Sequence, residues 1–187
     1  MGENVPTPAE SRAVAEDLVV EIVRAAGGEF ANKTNLFKAF WLANREHAAI
    51  RLVPMTEWPV VRMPNGPGID RFDELTESLQ DSGRLTVVIE PVGSKERFVY
   101  RTDSSEKTSL TGEQIELVQG AVQRVQRLTA SAVSDLSHDE SLSWNERRNG
   151  DPLDPFLDSL DPQFVDATSR RLQHTAAESA GLFDQFD

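Results

Sequence analysis

The sequence predicts an α+β domain, mainly helical, with a winged-helix-like helical core and one β-hairpin. Three observations carry that expectation. Apolar residues recur at helical spacing in several separate stretches. Leu85, Val87 and Ile89 alternate with Thr86, Val88 and Glu90, as one strand of a hairpin does. The order helix, helix, hairpin is that of a winged helix-turn-helix.

The elements follow in order. Thr7-Pro8-Ala9-Glu10 opens the first helix: the threonine caps, the proline suits the first helical position, and the glutamate closes a capping box. Val14, Leu18, Ile22 and Val23 form its buried face, and Gly27-Gly28 stops it. A second helix spans about Lys33 to His47. Its Leu36, Phe37, Phe40, Trp41 and Leu42 are too bulky and apolar to lie in water, which makes it the central helix. From Ile50 to Gly68 the chain reads as irregular, with a short strand at Val60-Val61 and a turn at Asn65-Gly66-Pro67-Gly68.

A third helix is expected from about Ile69 to Ser82, buried through Ile69, Phe72, Leu75 and Leu79. The hairpin follows, its return strand Arg97 to Arg101 reached through Gly93-Ser94. Lys95, Arg97 and Arg101 there read as edge-strand charge that deters aggregation. A fourth helix starts at Thr111 with Gln114 placed for a capping box. After a short helix around Ala130 to Leu136, Ser137-His138-Asp139-Glu140 reads as a new cap-and-box start. The expected organisation is a disordered N-terminus over 1–6, one domain over 7–148, and an acidic extension over 149–187 with a helix at Asp161-Pro162.

Composition bounds the function. The 187 residues contain no cysteine, which removes disulfides, thiolate nucleophiles and cysteine zinc sites together and fits a cytoplasmic location. No signal peptide and no membrane-spanning run is legible. The formal charge of −12 opposes binding to phosphate backbones, and it favours a basic protein partner or simply solubility. The third helix sharpens the point: it carries Asp70, Asp73, Glu74, Glu77 and Asp81 against Arg71 alone, so nucleic acid is disfavoured there. His47, His138 and His174 lie on separate elements without metal-site spacing. Neither a phosphate loop nor a nucleophile elbow is present. No catalytic residue, metal or cofactor is expected, and the chain reads as a binding protein rather than an enzyme.

Three blocks then carry a resemblance. Val60-Val61-Arg62-Met63-Pro64-Asn65-Gly66-Pro67-Gly68-Ile69, continuing to Phe72 and Leu75, resembles the central signature of the Panacea domain. That is the antitoxin-associated family that includes SocA-like proteolytic adaptors. Asn35 to Asn44 resembles its core helix, and Leu136-Ser137-His138-Asp139-Glu140 with Trp144 resembles its closing motif. Asn65 stands where the family usually has an aromatic, and Gly68 follows the proline.

The resemblance implies an antitoxin-like protein that neutralises a cognate toxin by direct binding, with a Clp-type protease as a second partner if the chain is an adaptor. The alternatives are a winged-helix transcription regulator or a phage-associated interaction protein without a toxin partner. The motif residues Pro64, Asn65, Gly66, Pro67, Phe72, Leu75, Ser137, His138 and Trp144 are expected to build the scaffold. The extension holds half the net charge and keeps apolar anchors among its acids, including Phe156, Leu160, Phe183 and Phe186. Two readings stay open for these anchors: contact with the partner, or docking back on the chain's own domain.

Overall fold

The structure is a computed structural model, and it describes residues 7–93 and 95–160. Among these are seven helices and two small antiparallel sheets. Helix α1 (Pro8–Ala25) begins with the expected capping box between Thr7 and Glu10. It leads to a three-residue strand, β1 (Glu29–Ala31), and then to the central helix α2 (Lys33–Arg51). Asn32 caps α2 through its side chain, and Phe40, Trp41 and Leu42 are fully buried.

The stretch read as irregular contains a second hairpin: β2 (Val60–Met63) and β3 (Gly66–Ile69), with Met63 opposite Gly66. Only Pro64 and Asn65 form the turn. Proline fixes the backbone angle there, and Gly66 takes the left-handed φ of +94° that the return requires. Ile69 is therefore the last residue of β3, paired with Val60, and not the start of a helix. Arg71, at φ +45°, turns the chain into α3 (Phe72–Asp81). Phe72, Leu75 and Leu79 are its buried face.

Strands β4 (Thr86–Val92) and β5 (Lys95–Arg101) form the expected hairpin. The sheet order is β1-β5-β4, so β5 is central and β4 is the edge. That corrects the edge reading of Arg97 and Arg101. They pair with Glu90 from the middle strand, and Arg101 also reaches Glu29 of β1.

Helix α4 (Gly112–Gln126) carries its capping box at Thr111 and Gln114. Helix α5 (Ala130–Glu140) runs through Ser137, which the sequence suggested as a cap. The Ser137 hydroxyl donates to the Ser134 carbonyl one turn back, so it does not cap. The break falls at Ser141, whose oxygen accepts from the Trp144 N–H and starts α6 (Leu142–Glu146).

The chain then returns along β2. Arg62 N–H donates to the Asp151 carbonyl, Gly150 N–H to Arg62, and Leu153 N–H to Val60. Pro152 bridges Val61 in antiparallel sense. Helix α7 (Pro155–Ser159) then packs against α2. No helix among the described residues is long and apolar enough to cross a membrane.

Candidate functional site

The three sequence blocks meet where α2, the β2–β3 hairpin and the α5–α6 junction come together. Lys38 lies within the apolar stripe of α2 and is 2% exposed. Its Nζ donates to the Pro67 carbonyl at 2.7 Å. A Cβ added at Gly66 would come within 2.8 Å of that Nζ and would collide with the Ser137 hydroxyl. Only glycine fits there, on space and on backbone angle together. Burial pulls the Lys38 ammonium down to a pKa of about 7.

Trp144 closes one side of the joint. Its indole N–H donates to the Met63 carbonyl at 3.0 Å, and His138 stacks on its ring at 3.8 Å between centroids. The Arg62 guanidinium lies 4.1 Å over the same ring, and its Nε donates to the Trp144 carbonyl. His138 is shifted towards the neutral form, first by burial and then by the Lys38 charge.

A second polar centre holds the returning segment. Asp158 is fully buried and accepts four hydrogen bonds: from Trp41 Nε1 (2.9 Å), the Ser141 hydroxyl (2.9 Å), the Ser143 N–H (2.8 Å) and the Ser143 hydroxyl (2.8 Å). A carboxylate can be buried on such terms because neutral donors replace its hydration. Arg45 Nε adds a bond to the Asp158 carbonyl. The first part of the acidic stretch, through Leu160, is thus packed on the domain.

The motif residues divide three ways. Gly66, Pro67, Ser137, His138 and Trp144 converge on the joint. Phe72 and Leu75 lie on α3, where Phe72 sets its edge against Phe37 and Tyr100 at 4.9 and 5.6 Å between centroids. Pro64 and Asn65 are exposed at the hairpin turn. Of the partner-contact candidates, Phe156 is 37% exposed and Leu160 half-buried, while Phe183 and Phe186 lie outside the described residues.

Lys38, Arg62 and Asp158 were not singled out by sequence reasoning. The available signal was a lysine inside a stripe of Leu36, Phe37, Ala39 and Phe40, and an aspartate among Phe156, Leu157 and Leu160.

One family model matches the chain over residues 36–145: antitoxin SocA-like, Panacea domain. The chain belongs to this family. The match takes in α2 from Leu36 on, the β2–β3 hairpin and the closing Trp144, which build the joint, together with α3, the β4–β5 hairpin and α4. No curated protein and no solved structure matched the chain.

Chemically, the Panacea joint holds rather than reacts. An amine near neutrality could serve as a base, but Lys38 is 2% exposed, Ser137 is fully buried, and a backbone carbonyl occupies the ammonium. Among the described residues no three histidine, aspartate or glutamate side chains group to hold a metal ion. A surface concavity of about 570 Å³ is lined by Arg12, Trp58, Arg71 and Glu74 among others. Its guanidinium groups are engaged, Arg71 lying 4.4 Å over the Trp58 ring and Arg12 donating to the Glu74 carbonyl.

Proposed function

We propose that this chain is an antitoxin that neutralises a cognate toxin by direct protein association, in the cytoplasm and without turning over a substrate. Membership of the SocA-like Panacea family carries the reading. The placement of the motif residues supports it, because Gly66, Pro67, Ser137, His138 and Trp144 are spent on the joint and Phe72 and Leu75 on the core, which leaves most of the outer surface for a partner. Phe156 and Leu160 belong to that surface in this reading, with Phe183 and Phe186 included on their sequence alone.

A winged-helix relationship is the finer fold reading. The order β1, α2, α3, β4, β5, with the β2–β3 hairpin inserted between the two helices and β1 paired to β5, supports it. Use of α3 as a DNA reader is opposed by its exposed Asp73, Glu74, Glu77 and Asp81.

The test is co-expression with each neighbouring reading frame that arrests growth when expressed alone. Growth arrest by one such frame should be relieved, and the two proteins should purify together. Arrest that is equally deep with and without this chain for every such frame refutes the proposal. Tight, salt-steep binding of the lone protein to duplex DNA would favour a regulator instead. Relief that depends on a Clp-type protease, with the toxin disappearing, would assign the adaptor version.

A further inference from the structure

Strand β4 is an edge with nothing beyond it among the described residues. Its free groups can be read from the pairing. The Phe98 carbonyl accepts from the Asn32 N–H, and Thr102 N–H donates to Gly28, so even-numbered residues of β5 face β1. Odd-numbered residues then face β4, in the pairs Val99 with Val88 and Arg97 with Glu90. Val87, Ile89 and Pro91 are left with their backbone groups turned outward. No backbone or side-chain hydrogen bond from the rest of the described chain reaches them. The edge therefore offers two N–H donors, at 87 and 89, and three carbonyl acceptors.

Edges of this kind are usually blunted by charge, and β4 is not. Its single charge is Glu90, held by Arg97 and Arg101. Pro91 at the outer end removes one donor but leaves the pairing positions 87 to 89 intact. Ile89 is 53% exposed, and its cross-strand partner Phe98 is 36% exposed. The two extend the apolar face of Val87 and Tyr100 past the end of the core.

Charge then selects the occupant. Helix α3 packs on that same face of the sheet, through Phe72 against Tyr100. Its outer side exposes Asp73, Glu74, Glu77 and Asp81. Lys33 pairs with Asp73 and Arg71 with Glu74, whereas Glu77 and Asp81 have no ion-pair partner among the described residues. A second copy of the chain would bring the same acids, and another −12, to this edge.

We propose that β4 is a docking edge for an extended strand of a partner protein that carries both apolar and basic side chains on its face turned towards α3. Backbone pairing at Val87 and Ile89 supplies the grip, Ile89 and Phe98 take the apolar side chains, and Glu77 and Asp81 take the basic ones. The inference rests on the antitoxin reading for its partner class, and its test does not depend on that reading.

The probe is a short fluorescein-labelled peptide that carries valine and arginine at alternate positions, so that both face α3, with threonine between them, followed by fluorescence polarisation against the full chain. Ile89→Pro removes an outward donor without touching the β4–β5 ladder, and Ile89→Lys blunts the edge by charge. Each should weaken binding roughly tenfold or more while the melting temperature stays near wild type. A peptide N-methylated at alternate backbone positions should bind as weakly as these variants show. Glu77→Lys with Asp81→Lys should lower affinity and flatten its salt dependence. Three results overturn the proposal: no binding of the peptide to wild type, binding by Ile89→Pro and Ile89→Lys as tight as by wild type, or a concentration-dependent dimer that Ile89→Pro abolishes. If wild type and both Ile89 variants relieve toxin arrest equally, the edge is not the toxin contact and the antitoxin function stands. If wild type binds the peptide but relieves no arrest, the function fails and the edge stands.

Discussion

The joint around Lys38 and Asp158 and the β4–β5 sheet invert each other. In the first, charged groups lie inside and each is met by a partner: Lys38 by the Pro67 carbonyl, Asp158 by two serines and an indole. In the second, apolar groups lie outside and the strand edge is unmet among the described residues. Buried polar groups penalise every arrangement that leaves them unpaired, so they fix one geometry. Exposed apolar groups and a free edge cost little alone and gain when a partner covers them. The difference teaches that one small domain can fix its geometry with paired buried groups in one region and leave apolar groups uncovered in another.

The comparison can be broken most severely at its inner end. Trp41 is fully buried and is the indole that reaches Asp158. Trp41→Ala should cost on the order of 3–5 kcal/mol, most of a small domain's stability, and leave the protein largely insoluble. A melting curve like wild type would show that α2 is not the central element. Asp158→Ala should cost about 3 kcal/mol, because it leaves three buried side chains and one N–H without an acceptor. Truncation after Asn149 should match that loss, while truncation after Leu160 should move the melting temperature far less. Equal, small effects of both truncations would mean that the latch is ornamental.

Gly66→Ala comes next, at about 1–3 kcal/mol, since a methyl group there meets Lys38 and Ser137 at a positive φ. Thermal denaturation reads it, and Pro64→Ala on the exposed turn is the control expected to cost little.

A further effect is one of pH. Lys38 holds its proton less readily when folded, at about 7, than when unfolded, at 10.5. Between those values the unfolded chain binds more protons, so stability rises with pH through that window. His138 is depressed in the same sense, so stability also falls as pH drops through its unfolded value of 6.5. Tyr100, held protonated chiefly by burial, acts in the opposite direction above pH 10. Lys38→Met should flatten the rise above pH 7. An unchanged slope would place the ammonium in water.

Much of this was legible in the sequence, and the parts that were not share a cause. Capping boxes at Thr7 and Thr111 and the stripe of α2 depend on neighbours a few residues apart, and local spacing states them fully. The β2–β3 hairpin hid because Gly66-Pro67-Gly68 has turn composition; it is a strand because α2 and α5 crowd it, which spacing cannot express. Ile69 fitted a helical stripe equally well, since a residue ending a buried strand and one starting a buried helix are both apolar. Asp158 read as one more acid of an acidic stretch. Its donors lie 15 to 117 residues away, and nothing nearby announces them. At the candidate site the glycine and the tryptophan were visible as a motif, whereas the lysine they enclose was visible only as an interruption in an apolar stripe.

The Trp41–Asp158 bond also has a bearing on time. Its two ends are 117 residues apart in the chain. At a synthesis rate of about 5–20 residues per second, roughly 6 to 23 seconds separate the emergence of the donor from that of its acceptor. Through that interval the central helix carries an indole N–H that has no mate, and β2 lacks the segment that will lie along it. The newborn chain is complete in every motif of its family before it is complete as a structure. Free chains truncated just before residue 158 should therefore be cut readily by protease, and chains that extend a few residues past it should resist.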